Sequence, residues 1–148
     1  MAAGQKIDIT ITGTQYPAQA GAADEPVITI QRTQAEYFQK GESHYLFYEE
    51  QPEGFPAPLK TRIKRKGETL EIHRQGPGGS TMFFAPGQTY CTEYYTPYGK
   101  LFLDIVTDKL VIGSAKDSAW AETVVEYALY SDGEILAHYR IVIEQKNM

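Results

Sequence analysis

Apolar and polar residues alternate over most of this chain, and glycine, proline or aspartate interrupts the alternation at short intervals. IDITIT at 7–12 is the plainest case. Ile7, Ile9 and Ile11 recur with period two, which predicts a strand with one apolar face. After the loop PAQAGAADEP, VITIQR at 27–32 predicts a second strand. AEYFQK and SHYLFYEEQ fit a hairpin about Gly41-Glu42 with aromatic residues on both faces. AEYFQK is short enough to fit a helical turn as well. QPEGFPAP then reads as a proline-rich connection.

Each predicted turn fixes a register, and the registers can be compared. In TEYYTPYGKLFLDIVT at 92–107, Pro97 and Gly99 make a turn that pairs Thr96 with Gly99. Tyr94 then faces Leu101, Thr92 faces Leu103 and Tyr90 faces Ile105, and these six share an uncharged face that belongs inside. Gly67-Glu68 sets Ile63 against Ile72 and Thr61 against Arg74. The GPGG loop at 76–79 sets Arg74 against Thr81 and Ile72 against Phe83, and Pro86-Gly87 leads from that strand into the one around Tyr90. Ser131-Asp132-Gly133 reads as a three-residue hairpin loop pairing Leu129 with Ile135, Tyr127 with Ala137, Val125 with Tyr139 and Thr123 with Ile141. A turn at Lys116-Asp117 sets Ile112 against Ala121 and Leu110 against Thr123. Keeping Ile105 and Leu110 on one face requires a β-bulge near Asp108-Lys109.

These hairpins agree on one inner face. The prediction is an all-β, single domain over residues 1–148, an up-and-down antiparallel meander of about 8–10 strands closing into a barrel. A two-sheet sandwich is the other architecture such strands can make, but it needs long crossing connections that the chain mostly lacks.

Composition narrows the setting. One cysteine, Cys91, excludes an intrachain disulfide framework and suits a reducing cytoplasm. Asp8, Thr10 and Thr12 interrupt what would be the apolar core of a signal peptide, and no segment approaches the length of a membrane helix. The net charge of −5 argues against nucleic acid as the main partner. KTRIKRK at 60–66 nevertheless holds five of the 14 basic residues and no acid. It reads as a solvated stripe that protects a sheet edge, because its own outer face offers no aromatic platform for bases.

HYLFYEE, LEIHRQG, TMFFAPG, YYTPYGKLFLDIVT and VEYALYSDGE together resemble the YwiB-like family of small bacterial proteins. The Tyr-Thr-Pro-Tyr-Gly turn and the strand after it carry the most specific part of the likeness. The resemblance implies a calycin-type, lipocalin-like barrel in a bacterial cytoplasm. It brings no catalytic residues.

The candidate chemistry is sparse. Arg74 falls on the inner face, where its charge needs a partner. An inward carboxylate such as Glu50 is one, and a ligand carboxylate or phosphate is the other. Tyr90, Tyr94, Tyr127 and Tyr139 also fall inside, either filling the core or lining a cavity with rings and hydroxyls. His44, His73 and His138 are dispersed and suggest no metal site or cofactor, and Cys91 faces outward without a histidine beside it. Glu49 and Glu50 point to opposite faces, and GPGG precedes a strand rather than a helix, so neither a carboxylate pair nor a phosphate loop is present. The expectation is a non-enzymatic binder of a small, anionic and partly apolar ligand. Arg74 is its anchor, and Tyr90, Tyr94, Tyr127 and Tyr139 its lining. The alternative is a filled barrel acting on protein or RNA through its outer face. A row of Tyr95, Phe102, Val106 and Trp120 there would serve as a homodimer surface.

Overall fold

The structure is a computed structural model and describes residues 4–17, 25–50, 58–75, 80–96, 99–113 and 119–146, apart from the side chains of 94–96. Ten strands form: β1 (Gln5–Pro17), β2 (Val27–Lys40), β3 (Ser43–Glu50), β4 (Leu59–Lys66), β5 (Thr69–Gln75), β6 (Ser80–Phe84), β7 (Thr89–Thr96), β8 (Gly99–Ile112), β9 (Thr123–Ser131) and β10 (Glu134–Gln145). No helix occurs among the described residues. VITIQR and AEYFQK are not two elements. They are halves of the single strand β2, because Thr33 to Ala35 carry on the pairing with β1 without a turn residue between them.

The strands make one antiparallel, nearly closed, barrel-shaped sheet in the order β6-β5-β4-β3-β2-β1-β10-β9-β8-β7. The chain therefore closes by pairing its first strand with its last, Ile9 with Gln145 through Pro17 with Ala137. The sheet order ends at β6 and β7, which are joined by the turn at Pro86-Gly87 but share no ladder pairing. The Thr92 hydroxyl donates to the Thr81 carbonyl across this seam.

Inside lies one apolar core including Ile7, Ile9, Leu46, Ile63, Leu70, Ile72, Phe84, Ile105, Val125 and Ile143. Burial of each such side chain contributes about 1.5–3 kcal/mol, which fixes the face that every strand turns inward. The β7–β8 and β4–β5 registers are those the turns predict. So is the bulge, which falls between Thr107 and Lys109.

Three registers differ. Arg74 pairs with Ser80 and Ile72 with Met82, one residue away from the expected register. That slip turns Phe84 into the core and Phe83 out of it. In the β9–β10 hairpin Asp132 and Gly133 both have positive φ, giving a two-residue turn, and a second irregularity follows between Ile135 and Ala137. Two one-residue differences add to two, so Tyr127 pairs with Tyr139 while the inner positions stay inside. Ile112 likewise pairs with Thr123, two residues from expectation. Its turn at Lys116-Asp117, like the loops at 18–24, 51–57 and 76–79, lies outside the described residues.

Trp120, expected on the outer face, is 1% exposed. Residues 119–122 do not extend β9, and Trp120 is held inside against Ile143 of β10 and Arg65 of β4. Phe102 does stand outside at 59% exposure and Val106 is half-buried, whereas the Tyr95 side chain lies outside the described residues. The expected continuous row is therefore broken.

Candidate functional site

Two arginines enter the barrel, one toward each end. Arg74 arrives from the penultimate position of β5, in register with Thr61 and Ser80. Its Nε donates to Glu50 Oε2 at 2.9 Å, and the Thr61 hydroxyl donates to the same oxygen at 2.6 Å. The side chains are 33% and 16% exposed respectively. Burial works against the Arg74 charge, but the Glu50 carboxylate outweighs it and holds the guanidinium above its ordinary pKa, with Tyr48 and Tyr127 acting in the same direction. Burial also raises Tyr48 and Tyr127, with Glu50 adding to the first and Tyr139 to the second, and Arg74 opposing both. Their hydroxyls are therefore neutral donors at any physiological pH.

The expected lining is partly assembled around this pair. Tyr127 is buried and stacks on Tyr139, with centroids 5.1 Å apart and planes at 11°. Phe84 packs on the same ring at 4.7 Å, tilted by 52°. Thr107, in register with Tyr127, buries a hydroxyl that has no hydrogen-bond partner among the described residues. Tyr90 packs on Phe83 at 5.8 Å, toward the β6–β7 seam. Tyr94 keeps its expected register opposite Leu101, and its side chain lies outside the described residues.

The second arginine, Arg65, is one the sequence reading did not single out. Its signal was nonetheless present: period two from the inward Ile63 leads directly to it. The residue is 9% exposed, and its buried Nε has no hydrogen-bond partner among the described residues. Among the described residues no carboxylate forms an ion pair with it. Its guanidinium carbon lies 5.0 Å from the Trp120 ring centroid. Trp120 is fixed from the far side of the barrel: its indole N–H donates to the Ile143 carbonyl at 3.3 Å and its backbone N–H to Gln145 Oε1 at 2.9 Å. Tyr37 and His44 complete the cluster, sharing a hydrogen bond of 2.7 Å. Burial lowers the Arg65 pKa, and burial with the nearby Arg65 charge lowers that of His44. Burial raises Tyr37 against the pull of Arg65. The apolar side chains of Leu46, Ile63, Ile72 and Val125, each nearly free of solvent, lie between the two ends.

Outside, β3 presents Tyr45 and Phe47 beside the basic strand, in register with Lys64 and Arg62. With Phe38 of β2 they border an open groove of about 990 Å³. Among the described residues no three His, Cys, Asp or Glu side chains gather as a metal would need.

Residues 9–143 match the family described as a domain of unknown function, DUF1934. The chain belongs to the DUF1934 family. The fold agrees with that of a solved structure, the crystal structure of the ywiB protein from Bacillus subtilis, at a TM-score of 0.68 and 19% identity. That match covers 98% of this chain and 96% of the other, so the two share the whole barrel. No relative was found among curated proteins. The YwiB-like resemblance read from HYLFYEE, LEIHRQG, TMFFAPG, YYTPYGKLFLDIVT and VEYALYSDGE is thus one of family and fold, and DUF1934 membership carries no ligand or reaction with it.

Proposed function

We propose that this chain is a calycin-like, non-enzymatic binder of a small anionic, partly apolar molecule, anchored by Arg65. The observation that carries the reading is the uncompensated Arg65 charge, shielded from water and held against an indole. A cation removed from water costs several kcal/mol unless a counter-charge meets it. The guanidinium fork suits a carboxylate or phosphate, and Trp120 and Tyr37 supply an apolar wall beside it. Arg74 is already met by Glu50, so in this reading it braces the opposite end with Tyr127 and Tyr139. An exposed, unpaired Cys91 suits a cytoplasmic setting.

The test is thermal-shift screening of small carboxylates and phosphates against wild type, Arg65→Met and Arg74→Met. A ligand at a hundred times its Kd stabilises by about 2.7 kcal/mol, enough to move the midpoint measurably. The expected hit raises the midpoint of wild type and Arg74→Met and leaves Arg65→Met unmoved. Loss in Arg74→Met with retention in Arg65→Met would return the anchor to Arg74. A panel that shifts nothing in wild type would end the small-anion reading.

A further inference from the structure

The outer face of β3 and β4 joins two features that the linear sequence keeps apart. On β4, Lys60, Arg62, Lys64 and Lys66 occupy alternate positions, so successive basic side chains leave the sheet about 6.6 Å apart. On β3, the register sets Phe47 beside Arg62 and Tyr45 beside Lys64. Phe47 is 41% exposed, lies near-parallel to Tyr45 with centroids 6.1 Å apart, and meets Phe38 edge-on at 5.6 Å. Lys64 Nζ lies 5.7 Å from the Tyr45 centroid. The lysines are not guarding an edge, because β4 is paired along its length on both sides, by β3 and by β5. Glu71 takes Arg62, and Glu49 stands in register with Lys60. Lys64, Lys66 and Lys40 add positive charge around the rings.

We propose that this face binds single-stranded RNA, bases on the Phe38, Tyr45 and Phe47 rings and phosphates along the β4 lysines. Aromatic rings beside a cationic track are what a single strand uses: each base offers a flat face to stack, and each phosphate a charge to neutralise. Glu36 and Gln39 on the rim of the groove supply acceptors for a ribose 2′-hydroxyl, which favours RNA over DNA. The negative net charge of the whole chain does not oppose this at contact range, since exposed charges farther than a Debye length are screened. The proposal is independent of the interior site.

Fluorescence anisotropy with a labelled 12-nucleotide oligo(U), begun at about 0.15 M salt where the Debye length is about 8 Å, tests it, with oligo(dT) and heparin as comparison arms. Wild type is expected to bind oligo(U) with affinity falling as salt rises, and to prefer it to oligo(dT). Phe47→Ala and Tyr45→Ala are each expected to weaken binding about tenfold. Lys60→Glu with Lys64→Glu should weaken it further and flatten the salt dependence. Circular dichroism of each variant verifies that the barrel is intact. No binding by folded wild type would overturn the proposal. So would unchanged affinity in the two ring variants, which would leave only a polyanion effect shared with heparin. Equal affinity for oligo(dT) would overturn the choice of RNA, and dimerisation through this face in light scattering would assign it to a second copy.

Discussion

Arg65 and Arg74 point into one barrel but stand in opposite electrostatic positions, and truncating them should have opposite consequences. Removing Arg74 leaves Glu50 mostly buried without its cation, with only the Thr61 hydroxyl bonded to it among the described residues. Breaking a fully buried pair costs about 3–5 kcal/mol, and the partial exposure of Arg74 reduces this, so Arg74→Met is expected to destabilise by about 1–3 kcal/mol. Removing Arg65 orphans no carboxylate among the described residues. It loses a contact with Trp120 of about 1–2 kcal/mol but also lifts the burden of an unmet charge. Arg65→Met is therefore expected to match or exceed wild type in stability in the absence of ligand. Urea denaturation of both variants measures this. A loss at Arg65 as large as that at Arg74 would mean that its charge is already satisfied. A residue that weakens the empty protein while remaining in place has the character of a binding group.

At the level of the strand, what the sequence makes legible is the face, and what it hides is the register. Phe83 and Phe84 are a direct case. Both are aromatic and adjacent, and only the length of the GPGG loop decided which one pointed inward on paper. The structure turns Phe84 into the core at 0% exposure and leaves Phe83 half-buried against Tyr90. Phe84→Ala is expected to cost about 3–5 kcal/mol and Phe83→Ala less than half of that, read from denaturation midpoints at constant slope. The reverse order would restore the loop-derived register. The β9–β10 hairpin shows why a wrong register still gave the right interior. A turn shortened at Asp132-Gly133 and a bulge before Ala137 each shift the pairing by one, and two shifts restore the parity. Nothing local in the sequence announces the second shift. Arg65 was legible by the same period-two rule that placed Ile63, but it lay concealed in a run of five cations. Trp120 was not legible at all: its burial depends on contacts with Ile143 and Gln145 of β10 and Arg65 of β4, which no alternation encodes.

The closure of the whole molecule determines where it opens. β1 and β10 lie far apart in sequence yet pair over nine successive positions, with Ile9 and Ile143 fully buried beside them. β6 and β7 are linked by a turn of a few residues yet carry no ladder, and a side-chain hydroxyl from Thr92 bridges the gap. A ladder buries its amides in mutual hydrogen bonds, while a strand at a sheet edge leaves one row of N–H groups without backbone partners. Local opening should follow that difference rather than chain distance. Native-state hydrogen exchange is expected to show the slowest amides in β1 and β10, exchanging only with global unfolding, and much faster exchange along the seam-facing rows of β6 and β7. Equal protection on both sides would mean that the seam is closed in solution. Fast exchange in β1 or β10 would mean that the termini, not the seam, are the weak point. The seam also lies beside the Phe83–Tyr90 contact, so a molecule entering there would meet Tyr90 first, whereas one entering beside Arg65 would meet Trp120. Exchange measured with and without a bound anion therefore distinguishes the two routes: protection gained around Trp120 marks entry at the capped end, and protection gained in β6 and β7 marks entry through the wall.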